Sequence, residues 1–431
     1  MKISLQSRTR RWLIATIVTV LSLGYLGITG TRVAAAWQGS RPELKSLERA
    51  SRLDPGNADY RHDLGRYYDL VARDPASAVG QYKAAVQLNP HSARYWFDLA
   101  SAYQVLGDTQ SQTSSLEHAI EADSMTPDVA WEAANLYLVQ GDNDKAMREF
   151  RVVIANDTAL APSALQFCWR IDPDIDYLLK DVVPVRADAY VAFLEFLENK
   201  QETEATGKVW DALIRTGEPF EIRRAYEFIR YSILHKEVDQ AVLAWRQTAH
   251  HFGLSSYLPS SANLVVNGNF DLDILNAGFD WQYQKQSPVS LSLDPSDFHA
   301  GRRSLQITFD GPGISDAGIF QYVAVQPNTT YDFSAYYKNS GEMEGAGGPH
   351  FTVQDMYTLQ IYYESDELKD SGFWKSADGE FTTGPDCKLV VLHIRRVPEG
   401  SPMRGRLWVA DFHITRKAAD NNGSPAAKTA S

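Results

Sequence analysis

The sequence predicts a multidomain α + β chain with an N-terminal transmembrane helix, an α-helical repeat solenoid and a C-terminal antiparallel β-sandwich. Three observations carry this reading. An uncharged stretch, Trp12 to Thr31, follows the bases Lys2, Arg8, Arg10 and Arg11. Small and aromatic residues then recur every 34 residues through the first half. From Pro259-Ser260-Ser261 onward, helical spacing gives way to strict alternation punctuated by Gly, Pro, Asn and Asp.

The apolar run holds 20 residues, which at about 1.5 Å per residue reaches across the roughly 30 Å hydrocarbon core of a bilayer. Bases before it and none within it place the N-terminus in the cytoplasm and the chain after Arg32 in the periplasm or outside the cell. Residues 1–36 are therefore read as a basic tip plus signal anchor of a single-pass envelope protein. A cleaved signal peptide is the rival, because Ala34-Ala35-Ala36 offers a small-residue site. The run is long for a signal core, and Arg32 separates it from that site.

Repeats come next. Ala100, Tyr103, Leu116 and Ala119 align with Ala134, Tyr137, Phe150 and Val153, each pair 34 apart. One unit earlier, Gly65, Tyr68, Ala78, Tyr82, Ala85 and Pro90 fall in register after a single insertion. Ala146 and Phe150 keep the offsets in the third unit. Small residues let paired helices approach, and aromatics fill the gap to the next pair. This spacing resembles the tetratricopeptide repeat (TPR), whose units commonly present a groove to a partner protein or peptide. TPR units are expected over 41–158. Leu47, Ala50 and Pro55 match a second helix with no first helix of its own, a cap continuing from the membrane segment. A degenerate TPR-like region is expected over 159–258, where Thr206, Trp210 and Leu213 echo Ala241, Trp245 and Thr248. The interval Asp172 to Pro184 is irregular. Tyr95, Trp96, Trp131 and Trp169 are groove candidates, set against the plainer reading of core aromatics.

Over 261–416, Val323 and Val325 alternate with Tyr322 and Ala324. Tyr331, Phe333, Ala335 and Tyr337 oppose the intervening residues, and Leu359, Ile361 and Tyr363 oppose Gln360 and Tyr362. Many short strands predict a two-sheet sandwich. The opening Asn263-Leu264-Val265-Val266-Asn267-Gly268-Asn269-Phe270-Asp271, then Trp281, the turn His299 to Ile307, and Leu407 to Phe412 resemble the jelly-roll carbohydrate-binding modules of the galactose-binding-like superfamily. That resemblance implies a structural calcium held by Asp271, Asp411 and backbone oxygens near His299 to Arg302, although Asp271 is shorter than the family's usual Glu and Ala410 replaces a common second acid. For a glycan, residues off the core parity are candidates: Tyr322, Tyr336, Gln360 and Tyr362, with Trp374 from a loop. Aromatic rings stack on pyranose faces and planar amides bond hydroxyls. Ordinary cross-strand partners are the alternative.

A net charge of −12 argues against nucleic acid as a partner. Cys168 and Cys387 are the two cysteines and are expected free and buried. No phosphate loop, zinc spacing or nucleophile elbow appears, and acid pairs such as Asp271/Asp273, Glu342/Glu344 and Asp366/Glu367 are unremarkable among 54 acids. The expectation is no enzyme and, calcium aside, no cofactor. The tail, 417–431, is expected to be disordered. The functional expectation is a membrane-anchored envelope adaptor with repeats on a partner protein and a sandwich on glycan, beside polysaccharide assembly or export. Alternatives are a surface carbohydrate receptor with a repeat stalk, and a purely structural assembly factor.

Overall fold

A computed structural model describes residues 8–284, 289–311, 316–340, 343–345, 347–369, 371–396 and 402–417. The tail beyond Lys417 lies outside these residues, as do Lys2, Glu342 and part of the glycine-rich 341–349 segment. Two compact units emerge, 1–196 and 197–431.

In the first unit, α1 (Arg8–Gly39) is one continuous helix. Within its stretch Arg11–Gly39 an 18-residue window has a mean hydropathy of 1.9, and by length and composition the stretch could cross a membrane or serve as a signal sequence. The helix continues past the apolar run, so that Ala35 is buried and its end packs on α2 (Leu44–Leu53). The half-unit expected to lack a first helix therefore has one, supplied by the end of α1.

Three helix pairs follow: α3 (Ala58–Arg66) with α4 (Pro75–Leu88), α5 (Ala93–Leu106) with α6 (Thr109–Ala122), and α7 (Pro127–Gln140) with α8 (Asn143–Asn156). Gly65 shows why small residues stand at the crossings: a Cβ there would sit 2.6 Å from the Tyr82 ring. Ala78, Ala85, Ala100, Ala134, Ala146 and Phe150 are fully buried, and Tyr82, Tyr103 and Tyr137 nearly so. Each second helix opens on an aspartate 34 residues after the last: Asp74, Asp108 and Asp142 accept from Ser77 N, Ser111 N and Lys145 N, all at 3.1 Å. The first helices of the later two pairs end on left-handed Gly107 (φ 76°) and Gly141 (φ 78°). In the first pair the inserted residue is absorbed by a π-turn over Tyr67–Val71, and Arg73 takes the left-handed position at φ 53°. The unit continues through α9 (Ala161–Ile171) and α10 (Ile175–Tyr177), the latter running into a second π-turn, Leu178–Val182, within the irregular interval.

The division between units falls inside α11 (Ala187–Lys200). The second unit holds α12 (Thr203–Thr216), α13 (Ile222–Leu234) and α14 (Val238–Phe252), followed by the sandwich. Its strands are β1 (Gln282–Tyr283), β2 (Val289–Asp294), β3 (Ser304–Gly311), β4 (Asp316–Ala324), β5 (Thr330–Asn339), β6 (Pro349–Asp355), β7 (Ile361–Glu364), β8 (Lys375–Thr382), β9 (Leu389–Arg396) and β10 (Met403–Arg416). They form two antiparallel five-stranded sheets in the orders β1-β4-β9-β6-β7 (sheet A) and β2-β3-β10-β5-β8 (sheet B). Between them lie Phe270, Trp281, Phe333, Phe351 and Phe412. The opening segment is tied to β10: Phe412 N donates to Gly268 O at 3.0 Å, and a Cβ on Gly268 would lie 2.3 Å from Phe412 O. Only glycine fits so close a backbone approach.

The alternation expected around β4 and β5 holds, with Val323, Tyr331, Phe333, Ala335 and Tyr337 inward. It fails before β7. Leu359 and Ile361 are exposed, because Leu359 sits in a turn at φ 61° and β7 is a four-residue edge strand. Tyr363 does face inward, 4.8 Å from Phe333.

Within this unit the helices meet the sandwich directly. The Trp245 ring lies on Gly278, where a Cβ would approach it to 2.3 Å. Its indole N–H donates to Tyr257 O at 3.0 Å. Tyr357 Oη donates to Ile233 O at 2.7 Å, and Lys388 pairs with Asp239 at 2.6 Å.

Candidate functional site

The outer side of sheet A carries a shallow cleft of about 330 Å³ lined by Phe320 and Tyr322 of β4, Val391 and His393 of β9, Met356 and Asp316. Strand register puts these side chains together: Tyr322 pairs with Val391 and Phe320 with His393. Phe320 and Tyr322 meet edge to face at 5.3 Å, giving an aromatic floor. Asp316 Oδ2 holds His393 Nδ1 at 2.9 Å. That leaves His393 Nε2 and the neighbouring Thr352 Oγ1 buried without a hydrogen-bond partner. Burial raises the Tyr322 hydroxyl above its ordinary pKa even though Arg230 opposes this, so the group is a neutral donor at neutral pH. An aromatic floor with the polar groups of Asp316, Gln284 and Tyr322 around it suits a ligand that is apolar on its face and polar at its edge.

The sequence-predicted candidates do not form one surface. Tyr322 lies in this cleft. Tyr336 is on sheet B, where His299 stacks on its ring at 3.6 Å and Trp374 approaches His299 at 5.8 Å. One face of Tyr336 is thus already taken. Gln360 is exposed in the irregular stretch just before β7. Tyr362 directs its hydroxyl to Asp355 Oδ2 at 3.3 Å and accepts from Gly384 N at 3.0 Å, so its polar end fixes a loop. Side-chain parity distinguishes the faces of a strand but does not reveal which sheet the strand joins. The cleft residues Phe320 and His393 had an available signal, since both share outward parity with their strand neighbours.

Asp271 and Asp411 both reach the His299–Arg302 turn. Asp271 accepts from Arg302 N at 2.6 Å and Asn269 Nδ2 at 2.9 Å, and Asp411 meets His299 Nδ1 at 2.9 Å. Asp411 sits in a bulge of β10 with φ 56°. These carboxylates meet nitrogen atoms of the turn and of Asn269, and a calcium cage of six or more oxygens would need backbone carbonyls and water beyond them. Among the described residues no cluster of three or more His, Cys, Asp or Glu side chains could hold a metal.

Cys168 and Cys387 are free and buried. Burial pushes both thiols up to about 12, aided at Cys387 by Asp355, so neither is a thiolate nucleophile at neutral pH. The repeat aromatics act in packing: Tyr95 is buried, Trp96 Nε1 donates to Pro90 O at 2.8 Å, and Trp131 meets Phe150 and Phe167 edge-on.

Residues 262–398 match the model of a family described as Carbohydrate binding domain, a stretch that ends before β10. Comparison with curated proteins finds no match. Among solved structures, a CBM4 structure is 16% identical, covering 36% of this chain and 99% of its own with a TM-score of 0.28. MamA is 20% identical, covering 40% of this chain and 85% of its own with a TM-score of 0.23. PilF of Pseudomonas aeruginosa is 15% identical, covering 47% of this chain and 94% of its own with a TM-score of 0.22. With the 34-residue helix pairing and the family match together, the chain joins a helical array similar to tetratricopeptide repeats to a jelly roll similar to carbohydrate-binding modules.

Proposed function

We propose that this protein is a membrane-anchored, non-catalytic scaffold of the cell envelope whose sandwich binds a glycan across the outer side of sheet A, in polysaccharide assembly or export. The supporting observation is the cleft itself, with its Phe320–Tyr322 floor and the polar Asp316 and His393 beside it. A glycan array probed with the full chain in detergent tests it. Tyr322→Ala should lower binding at least tenfold, and Tyr336→Ala should leave it unchanged; an array with no bound glycan refutes the reading. Retention of residues 1–36 and of the membrane fraction in carbonate is expected of the anchor, and a mature start near Trp37 would overturn it.

A specific observation also supports the adaptor role. Leu70, Val105 and Val139 stand at equivalent positions of successive first helices and are 65%, 70% and 71% exposed. Such a stripe fits an apolar segment of a partner protein. Val105→Asp with Val139→Asp should abolish partner capture without moving the melting temperature; unchanged capture removes this surface from consideration. Calcium at Asp271 and Asp411 is proposed as a structural brace. EDTA should then lower the melting temperature of the wild type but not of Asp411→Ala, and no shift in either would dismiss it.

A further inference from the structure

Next to the sheet A cleft, and sharing Tyr322 with it, lies a second pocket of about 280 Å³. One wall is α13, contributing Arg223, Tyr226, Glu227 and Arg230. The other is the Leu275–Gly278 loop with Gln282 of β1. A helix of the helical region therefore completes a site on the sandwich. The wall is held in place by the Trp245–Gly278 packing and by the Tyr357–Ile233 hydrogen bond.

The charges on this wall are unequal. Glu227 is the single acid lining the pocket, and it is neutralised by Arg223 Nε at 2.7 Å and also by Arg224. Arg230 has no ion pair among the described residues, and its charge reaches the Tyr322 hydroxyl. An unopposed guanidinium at the mouth of a pocket stands out in a chain of net charge −12. Around it are an aromatic ring, Tyr322, and two carboxamides. Asn276 Oδ1 is occupied by Tyr283 N at 2.8 Å, which leaves its amide nitrogen to donate. Gln282 Nε2 is occupied by Gly278 O at 2.8 Å, which leaves its oxygen to accept. A planar guanidinium pairs with a carboxylate through two parallel hydrogen bonds, and an aromatic face takes the apolar side of a sugar ring. The volume is at the small end of ligand pockets, suited to one ring of a longer chain.

We propose that this pocket selects acidic glycans: a carboxylated sugar ring packs on Tyr322 and places its carboxylate on Arg230, while the rest of the chain follows the sheet A cleft. The assignment rests on the glycan reading above and sharpens it, since α13 then determines which polysaccharide the sandwich accepts.

The test uses the full chain in detergent and isothermal titration with oligogalacturonate and its methyl ester, in which a methyl group replaces the negative charge of each carboxylate. The acid should bind at least tenfold tighter than the ester, and the difference should shrink as salt rises from about 50 to 500 mM. Arg230→Gln should bring the acid down to the ester's affinity, whereas Arg246→Gln, an exposed arginine of α14 outside the pocket, should keep the tenfold preference. Equal binding of acid and ester by the wild type overturns the acidic preference and leaves the glycan reading standing. A preference that survives Arg230→Gln overturns the assignment to this pocket. Binding of neither probe, together with an empty array, overturns both readings.

Discussion

The repeats and the sandwich hold their chains together over different distances. In the repeats, contacts recur between neighbours: aspartate caps at 74, 108 and 142, left-handed positions at 73, 107 and 141, and a buried small residue, Gly65, Ala100 or Ala134, in each first helix. Each is made again one unit later, so losing one leaves the others intact. In the sandwich, single contacts join residues far apart in sequence. Gly268 meets Phe412, and Asn263 Nδ2 donates to Phe412 O at 2.9 Å across 149 residues. Nothing repeats these, so damage should be local in the repeats and general in the sandwich.

The largest expected effect follows directly. Gly268→Val drives a side chain into the Phe412 carbonyl, and backbone cannot swing aside as a ring can. A loss of about 4 kcal/mol is expected, in the range of the most damaging single substitutions. The sandwich should lose its near-ultraviolet aromatic signal while far-ultraviolet helicity persists. Gly65→Val, whose clash is with the movable Tyr82 ring, should cost less and leave the sandwich melting unchanged. Equal losses from both would contradict the contrast.

A smaller effect is tied to pH. Asp280 is fully buried; its Oδ2 accepts from Leu275 N at 2.7 Å and its Oδ1 has no partner. Burial raises its pKa to about 7, against the pull of the Leu275 and Trp281 backbone hydrogen bonds and of Asn267. The unfolded carboxyl titrates near 3.9, so the folded state holds the proton more tightly. Its contribution is therefore fully present below about pH 4 and is lost as pH rises through about 7. Three pKa units set a ceiling of about 4 kcal/mol, and about 2 is expected after relaxation. Asp280→Asn should flatten the stability profile between pH 4 and 8. Parallel profiles for the two proteins would show that Asp280 does not titrate in this range.

How much was readable in advance follows the same contrast. Repeat spacing survives in sequence because the same packing is solved again every 34 residues, and even the insertion before Ala78 could be located. The aspartate caps carried that period too, in plain view. The sandwich strands were legible from alternation except at β7, where a left-handed Leu359 breaks the pattern. The cleft was not legible. Parity points to Tyr322, yet Tyr336 shares that parity on the opposite sheet, and Arg230 reaches Tyr322 only through the docking of a helix 92 positions earlier. Buried polar groups such as Gln321, whose amide pairs with both Val266 N and Val266 O at 2.9 and 2.7 Å, look like surface residues until the fold covers them.

The smallest effect tests the first of the three helix pairs at Arg73. Arg73 occupies the left-handed site that Gly107 and Gly141 fill in the next units, at φ 53° where a side chain is strained. The strain accompanies the π-turn of Tyr67–Val71, which widens the helix end to absorb the inserted residue. Asp74 N consequently reaches back to Tyr68 O at 2.8 Å, six residues away, where Asp108 N and Asp142 N reach five to Tyr103 O and Tyr137 O. Since the backbone already adopts the glycine conformation, Arg73→Gly should relieve the side-chain cost and gain somewhat under 1 kcal/mol, part of it lost to the greater freedom of glycine in the unfolded chain. The measured quantity is the urea midpoint of helicity, with Gly107→Arg as the reciprocal variant losing a similar amount. If Arg73→Gly destabilises instead, the arginine stem is making packing contacts that outweigh its strain, and this first pair departs from the rule its neighbours follow.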